Sequence, residues 1–511
     1  MNKTENGKIK SMMLAGSALA AAVLFSAFFA PEQAQAAKKE QRIDAVSYHM
    51  NLKLDTKKDR LYETVTVRVK NHTDKYVSRL CLRNMNPALL KIAKNTDYAA
   101  NKGKKSRLLS VTRIGSKKKL KIMAKQGRTV LYVNLGKKEG IRPGQSGTFT
   151  IRMWTDIPDR QDRFSIRKTA KGKLYELSFC FPYLADYENG KWITDPCFDD
   201  GESRSFDLAD YDVTFKAPKS YQVAATGSSH TQNGKTRIHA ANVRDFAITA
   251  CNFMAKDSFT VKGIRVNSYY LKGSRYLKKY RKLTRLTAKD SIRLFTEQIG
   301  RCPEKELDIV PGLFGMAFGG MEYPGLVMVN VSEWFDGSYY DAFSLGEDVS
   351  HEIGHQWFYS AVGNREYTEG WIDEGFASYL QEEIFDLTPG AANTYMRKID
   401  SFTPSIAKIK KENRELLATA REDYAGMKIN TPPDRYPQNQ EYGVGEYEEA
   451  CMFLREVRGQ MGKKRFGRFL KKYYKTYAGK TVKTKDVLKL IRSYDNSKKM
   501  KEIIRFYCAK A

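Results

Sequence analysis

Apolar and polar residues alternate along most of the first half of the chain. In the segment SYHMNLKLD the alternating apolar residues are Tyr48, Met50, Leu52 and Leu54, and ETVTVRVKN repeats the pattern at its valines. A period of two places successive side chains on opposite faces of a β-strand, one buried and one solvated. Turn-forming residues separate such runs up to about residue 251. The pattern predicts a largely antiparallel all-β domain, which we assign to residues 37–255.

The periodicity changes to that of helices after about Lys256. Helical spacing of apolar residues begins with the segment SRYLKKYRKLTRLTAKDSIRLFTEQIG, which ends at Gly300, shortly before Pro303. Further helices are predicted near residues 447–470 and 484–492. The chain is therefore predicted to be α+β, with a second, mainly helical domain over residues 256–511.

The first 36 residues have the order of a secretory signal peptide. Lysines precede an apolar run from Met12 to Ala30, and Ala34 and Ala36 offer an A-x-A cleavage site. We expect residues 1–36 to be removed, so that a secreted or envelope-associated protein begins near Ala37. The apolar run is long for a signal peptide, and an uncleaved membrane anchor stays open as the alternative.

The net charge of the chain indicates which classes of partner molecule to expect. The chain has 88 Lys and Arg against 58 Asp and Glu, a net charge of +30. For an exported protein this excess favours an anionic envelope polymer or membrane surface as a partner, and a solvated Lys-rich surface is the plainer alternative. Nucleic acid is not expected, because no recognition signature accompanies the charge. The seven cysteines lack CxxC spacing, which excludes a cysteine zinc site and a dense disulfide framework.

The strongest chemical signal is the HExxH motif, formed by His351, Glu352 and His355. Residues four apart lie on one face of a helix, so both imidazoles can bind one metal ion while Glu352 points at an adjacent water. Ser344 and Glu347 are predicted to form a capping box at the start of this helix. Two histidines that merely pack in a core are the alternative.

A catalytic zinc needs a third protein ligand and an open position for water. Glu374 follows His355 after 18 residues, within the segment TEGWIDEGFASYLQEE, whose apolar residues have helical spacing. A carboxylate inside such a segment is costly unless it is paired or binds a metal, so Glu374 is the predicted third ligand. A solvated acid is the alternative for Glu374. The neighbouring acids Asp373, Glu382 and Glu383 are expected either to be solvated or to lie behind the ligands and support them.

With these motifs the chain resembles the aminopeptidase N family of zinc metallopeptidases. HEIGH and WIDEGFA match the family's HExxH motif and its glutamate phrase, with the same spacing. The resemblance implies one zinc ion per chain, a saddle-like β domain followed by a thermolysin-like catalytic domain, and coverage from about residue 42 onward. It also implies a short member without the large helical C-terminal domain of many relatives.

The segment GGMEYPG resembles the family's exopeptidase motif. The resemblance implies that Glu322 binds the free α-amino group of the substrate and that Gly319 and Gly320 let the backbone approach the peptide closely. Tyr323 stands where the family usually has Asn. A glycine-rich turn with an exposed glutamate is the alternative.

The segment EYGVGEYEEA resembles the family's tyrosine segment. Tyr447 matches the catalytic tyrosine and Tyr442 its companion, although Glu449 and Ala450 replace the usual Lys-Gly pair. A packed, non-catalytic Tyr447 is the alternative.

We therefore expect an exported zinc peptidase that acts on free amino termini. An exported endopeptidase with the same chemistry and a catalytically silent, basic, envelope-associated peptide-binding protein stay open.

Overall fold

The structure is a computed structural model that describes residues 41–197, 207–315, 318–337, 340–419, 422, 426–436 and 443–509. The predicted signal segment, residues 1–36, lies outside the described residues. Residues Arg42–Ala511 form one compact unit. None of the helices in the described ranges is long and apolar enough to cross a membrane.

The β half, residues 42–251, is built on a sheet of seven strands. In spatial order these are Ser228–Gln232, Lys235–Val243, Ala209–Lys216, Ile43–Asp55, Arg60–Asn71, Ser146–Asp156 and Ser106–Arg113. Neighbours are antiparallel except for the parallel pair Ile43–Asp55 and Ala209–Lys216. The alternating residues of the first strand are buried, with Met50 0% and Leu52 1% exposed. The predicted, largely antiparallel β architecture is confirmed.

Three smaller sheets complete the β half. One has the strands Tyr183–Leu184, Arg79–Arg83, Val130–Asn134 and Lys121–Lys125, and another has Gln222–Ala225, Ile248–Cys251, Gly172–Leu177 and Phe164–Thr169. The third is the pair Tyr187–Glu188 and Lys191–Trp192. Short helices at Asn86–Thr96, Tyr98–Asn101, Gln126–Arg128 and Gly136–Glu139 connect strands.

The helix-rich half, residues 252–509, begins with a hairpin rather than a helix. Strands Met254–Val261 and Ile264–Leu271 pair antiparallel, and the first long helix is Leu277–Gln298. The long helix predicted in the segment that begins at Ser274 is confirmed, but the hairpin between Lys256 and this segment was not predicted. The hairpin has an alternating burial pattern of its own. The hairpin opens a five-stranded sheet that continues through Glu306–Gly312 and Leu326–Asn330 to the edge strand Gly320–Met321.

Helices pack around this sheet and supply most of the second core. They are Leu277–Gln298, Ser332–Asp336, Ala342–Gly354, Glu366–Glu369, Trp371–Tyr379, Leu380–Phe385, Ala391–Ile399, Ile406–Thr419, Pro433–Arg435, Val444–Glu449, Ala450–Met461, Lys463–Tyr477, Thr484–Tyr494 and Lys498–Tyr507. The short strands Val362–Gly363 and Lys480–Thr481 pair parallel. The predicted helices near residues 447–470 and 484–492 are confirmed.

Two large clusters of buried apolar residues underlie the α+β fold. One lies within the β half, and the other fills the helix-rich half and extends to Leu174, Ala224 and Cys251 of the β half. The two halves thus share a packed boundary inside one compact unit, and the domain limit at residues 255/256 stays a prediction. All seven cysteines are described and none forms a disulfide.

Candidate active site

The HExxH helix, Ala342–Gly354, carries the first two predicted ligands. Its N-cap is Asp341, whose Oδ1 accepts a hydrogen bond from the Ser344 backbone N–H at 2.9 Å. The predicted capping box is wrong, because Asp341 already satisfies the N-terminal turn and Glu347 instead accepts a hydrogen bond from Gln381 at 2.8 Å. Val349 and Ile353 are fully buried and fix the rotation of the helix about its axis.

Two imidazole nitrogens and one carboxylate oxygen lie close together beside this helix. His351 Nε2 lies 3.1 Å and His355 Nε2 lies 3.3 Å from Glu374 Oε2, and the two Nε2 atoms are 3.0 Å apart. Ligands bound to tetrahedral zinc at about 2.0–2.1 Å lie about 3.4 Å from one another. The described residues contain this one group of three side chains able to hold a metal ion, and its spacing fits zinc.

Hydrogen bonds orient the ligands from behind. His355 Nδ1 lies 3.0 Å from the carbonyl oxygen of Phe358, so an Nδ1–H can donate to it and leave Nε2 free to bind the metal. Glu374 lies on the helix Trp371–Tyr379, and its backbone N–H donates to Asp373 Oδ1 at 2.8 Å. Asp373 is only 3% exposed, so of its two predicted placements the one behind the ligand Glu374 fits and the solvated one does not.

Electrostatics favour an anionic Glu374 at this position. Burial opposes ionisation, but the charge of His355 and hydrogen bonds from both imidazoles lower the pKa of Glu374 below its ordinary value. Conversely, although burial lowers it, Glu374 raises the pKa of His355 to about 10. A cation is therefore favoured among these three side chains, and a divalent metal can replace the proton.

Glu352 lies on the same helix and is almost completely buried. Burial, together with the charges of Glu322 and Glu374, raises its pKa well above the ordinary value against the opposing effect of His355. Its Oε2 has no hydrogen-bond partner among the described residues. Such a carboxylate is a stronger base than a solvated one, which fits a proton acceptor.

The edge strand Gly320–Met321 lies directly against the carboxylates of the HExxH helix. A Cβ on Gly320 would lie 2.4 Å from Glu352 Oε1, and one on Gly319 would lie 2.6 Å from Asp348 Oδ1. Both glycines are therefore needed for the strand to approach the helix. Glu322 follows this strand, is 4% exposed and lines a cavity together with His351 and Glu352. The alternative of an exposed glutamate is therefore excluded.

Tyr447 closes the metal centre from a second direction. It lies on the π-helical segment Val444–Glu449, and its ring stacks on that of His351 with centroids 5.9 Å apart. π-Helical turns often occur at functional sites. Tyr442 lies outside the described residues.

One cavity of about 310 Å³ brings all of the predicted site residues together. Its lining contains Gly319, Gly320, Glu322, His351, Glu352, His355, Glu374 and Tyr447. It also contains residues that the sequence reasoning missed, among them Arg163, Asp348 and Gln381. Asp348 lies one helical turn before His351, so the helix spacing could have indicated it. Arg163 comes from the β half and carries no local signal.

Glu382 and Glu383, expected either in solvent or behind the ligands, form ion pairs with arginines. Arg455 lies 2.7 Å from Glu382 and 2.8 Å from Glu383, and Arg458 also contacts Glu383. Arg455 is itself buried, so these carboxylates compensate its charge.

The fold and the metal centre together define a zinc-metallopeptidase-like chain, and the comparisons with known proteins identify the domain. Residues 303–507 match the model of the Peptidase family M1 domain. These residues are therefore similar to an M1 peptidase domain, and the predicted resemblance to the aminopeptidase N family, with zinc as cofactor, is confirmed.

Curated relatives are similar over the same part of the chain. Aminopeptidase O of Homo sapiens is 25% identical over 38% of this chain and 24% of its own length. Aminopeptidase B of Rattus norvegicus is 26% identical over 35% of this chain and 26% of its own length. The match thus spans about a quarter of these relatives.

Solved structures share the whole two-part fold. The M1 zinc metallopeptidase of Deinococcus radiodurans has a TM-score of 0.59 at 15% identity, covering 93% of this chain and 96% of its own. Legionella pneumophila aminopeptidase A has a TM-score of 0.63 at 15% identity, covering 92% of this chain and 50% of its own. The predicted α+β fold class is confirmed.

Proposed function

We propose that this protein is a zinc metallopeptidase that removes the first residue of peptides with a free amino terminus. One observation carries the proposal: a single cavity contains a three-ligand metal centre, a buried unpartnered carboxylate and the glutamate of the edge strand. The related aminopeptidases and the peptidase domain point to the same activity.

Zinc held by His351, His355 and Glu374 would polarise the scissile carbonyl and lower the pKa of a water molecule. Glu352 accepts the proton of that water and then donates it to the departing amine, so that the proton is conserved across the reaction. Burial holds this carboxylate in place beside the metal ligands.

Tyr447 and Glu322 bind the two ends of the reacting unit. The Tyr447 hydroxyl donates a hydrogen bond to the oxyanion that develops at the carbonyl, from a ring fixed against His351. Glu322 pairs with the substrate ammonium, while the edge strand Gly320–Met321 offers backbone groups to an added peptide strand. The ammonium thereby fixes which bond is cut.

The test is a peptide series with free and acetylated amino ends, with and without a chelator. We expect free peptides to lose their amino-terminal residues one at a time and acetylated peptides to react little. The chelator should abolish the reaction with free peptides. Equal internal cleavage of acetylated peptides would favour the endopeptidase alternative. Zinc binding without turnover of any peptide would favour the silent peptide-binding alternative.

We further propose that the protein is exported and binds anionic polymers of the cell envelope or a membrane surface. The amino-terminal segment supports export through its sequence pattern alone. A groove of about 840 Å³ in the β half supports the proposal that the protein binds an anionic polymer. This basic groove is lined by Arg60, Lys91, Lys94, Lys104, Lys105, Arg107 and Arg128, with Asp156 as its one acid among the described residues.

The basic groove is held in place by contacts of its own. Arg60 lies 3.7 Å over the Trp154 ring and donates to Asp156 Oδ1 at 2.6 Å. Lys104 donates to the carbonyl oxygen of Ile157, and burial lowers the pKa of this lysine. Positive side chains at such density attract phosphate chains at low ionic strength. Amino-terminal sequencing of the secreted protein tests export, with Ala37 expected near the start.

A further inference from the structure

The active-site cavity has the opposite charge from the chain as a whole. Its lining includes Glu322, Asp348, Glu352, Glu374 and Glu382, and Arg163 is its one Lys or Arg side chain among the described residues. Arg163 lies 3.4 Å from Asp162, which compensates part of its charge. The whole chain has a net charge of +30, so the excess of acidic residues is a property of this cavity and not of the overall composition.

A second cavity of about 550 Å³ continues the acidic surface. It shares Gln381 and Glu382 with the active-site cavity. The further acids in its lining are Glu347, Asp386, Glu412 and Glu415. None of its described lining residues is Lys or Arg. We call the acids that line these two adjoining cavities the acidic region; of these, Glu412 and Glu415 pair with Lys408 and Lys411 at 3.6 and 3.7 Å.

Internal partners compensate some of these acids but not all. Glu382 pairs with Arg455, and Glu374 pairs with the two imidazoles. Asp386 is 1% exposed, yet its Oδ1 has no hydrogen-bond partner among the described residues. Asp348 forms no ion pair with any described Lys or Arg. Burial, then the charge of Asp341, raises the pKa of Asp348 to about 7. A cation bound beside Asp348 would offset the cost of burying its negative charge.

Asp348 lines the same cavity as Glu322 and Glu352. In the proposed binding mode, the carbon that bears the side chain of the first substrate residue lies between the ammonium, held by Glu322, and the carbonyl, placed beside Glu352. Asp348 is one helical turn from His351 and packs against Gly319, just before the edge strand.

We propose that the acidic region selects peptides whose first residue is Lys or Arg, with Asp348 as the specificity-determining counter-charge. The inference rests on the proposed aminopeptidase function and names its substrate class. The terminal amine binds at Glu322, and the basic side chain extends past Asp348 toward Gln381 and the second cavity.

The direct test compares substrates that differ in charge but hardly in shape. Peptides beginning with Arg or with its neutral analogue citrulline, and peptides beginning with Lys or norleucine, are assayed with the wild-type zinc enzyme. We expect kcat/KM to be higher for each basic peptide by about tenfold or more. Equal values within each pair, or a preference for Arg at the second position instead of the first, would overturn the proposal.

A matched pair of variants locates the effect. Asp348→Asn should reduce the Arg-to-citrulline ratio of kcat/KM toward one, whereas Asp74→Asn removes the same charge from an exposed loop of the β half and should preserve the ratio. An unchanged ratio in a folded, zinc-loaded Asp348→Asn variant contradicts the role of Asp348. The wild-type comparison needs no substitution, so it decides the substrate class even if a variant misfolds.

Failure of this inference can be told apart from failure of the proposed function. If the function is wrong, neither the arginine nor the citrulline peptide loses its first residue. If only the specificity is wrong, both peptides lose it at the same rate.

Discussion

The active-site cavity and the basic groove of the β half differ in the sign of their charge. The cavity is lined by five acidic residues, two histidines and Arg163, whereas the groove is lined by seven basic residues and Asp156. The net charge of +30 therefore does not reveal how positive and negative side chains are distributed between the two regions. The fold places a group of acidic side chains at the metal centre and a group of basic side chains in one groove of the β half. Reaction and surface attachment can thus be tested independently.

The largest expected effect belongs to Glu352. Glu352→Gln keeps the shape but removes the base, so kcat should fall by about 10²- to 10⁴-fold while zinc stays bound. Steady-state kinetics with a free peptide and metal analysis measure both quantities. Binding of inorganic polyphosphate, a probe of the basic groove, should not change. Normal turnover of this variant would remove Glu352 from the mechanism.

Tyr447 should affect the transition state more than substrate binding. Its hydrogen bond forms mainly with the developing oxyanion, so Tyr447→Phe should cost about 2–4 kcal/mol in kcat with a much smaller change in KM. The ring stacking on His351 persists in phenylalanine and serves as the internal control. Unchanged kcat would instead make Tyr442 the better candidate.

Glu322 should separate free from blocked substrates. Glu322→Ala leaves the ammonium unpaired, and kcat/KM for free peptides should fall by about 2–4 kcal/mol with zinc retained. Acetylated peptides are the control, since they carry no ammonium to lose. An equal fall for both substrates would mean that Glu322 only supports the local structure.

The basic groove should give the smallest effect. The triple variant Lys91→Ala, Lys105→Ala, Arg107→Ala should weaken polyphosphate binding about three- to tenfold at low salt, because exposed charges contribute little individually. A control with Lys498, Lys499 and Lys501 changed to Ala alters the net charge equally. Equal weakening in both variants would show that total charge, not the groove, attracts the polymer.

The comparison of these regions also shows what the sequence could predict. Local periodicity indicated the strands of the β half, and the HExxH spacing indicated two ligands, because both depend on neighbouring residues. The cost of a carboxylate inside an apolar helical segment indicated Glu374, and motif resemblance supplied Glu322 and Tyr447. The structure places all three in the same cavity.

Long-range packing accounts for most of what was missed. Arg163 reaches the cavity from the β half, and Asp386 comes close to Glu347 and Glu382 only after the helices pack. Two local errors have local causes: Asp341 caps the HExxH helix in place of Ser344, and a hairpin precedes the first long helix.

The metal centre is the claim on which reaction and specificity both depend. Metal analysis of the wild type and of His351→Ala, His355→Ala, Glu374→Ala and Glu352→Gln tests it most directly. We predict about one zinc per chain in the wild type and in Glu352→Gln, and strongly reduced zinc in the three ligand variants, because each loses a bond to the ion. Full zinc occupancy in all three ligand variants would contradict the account.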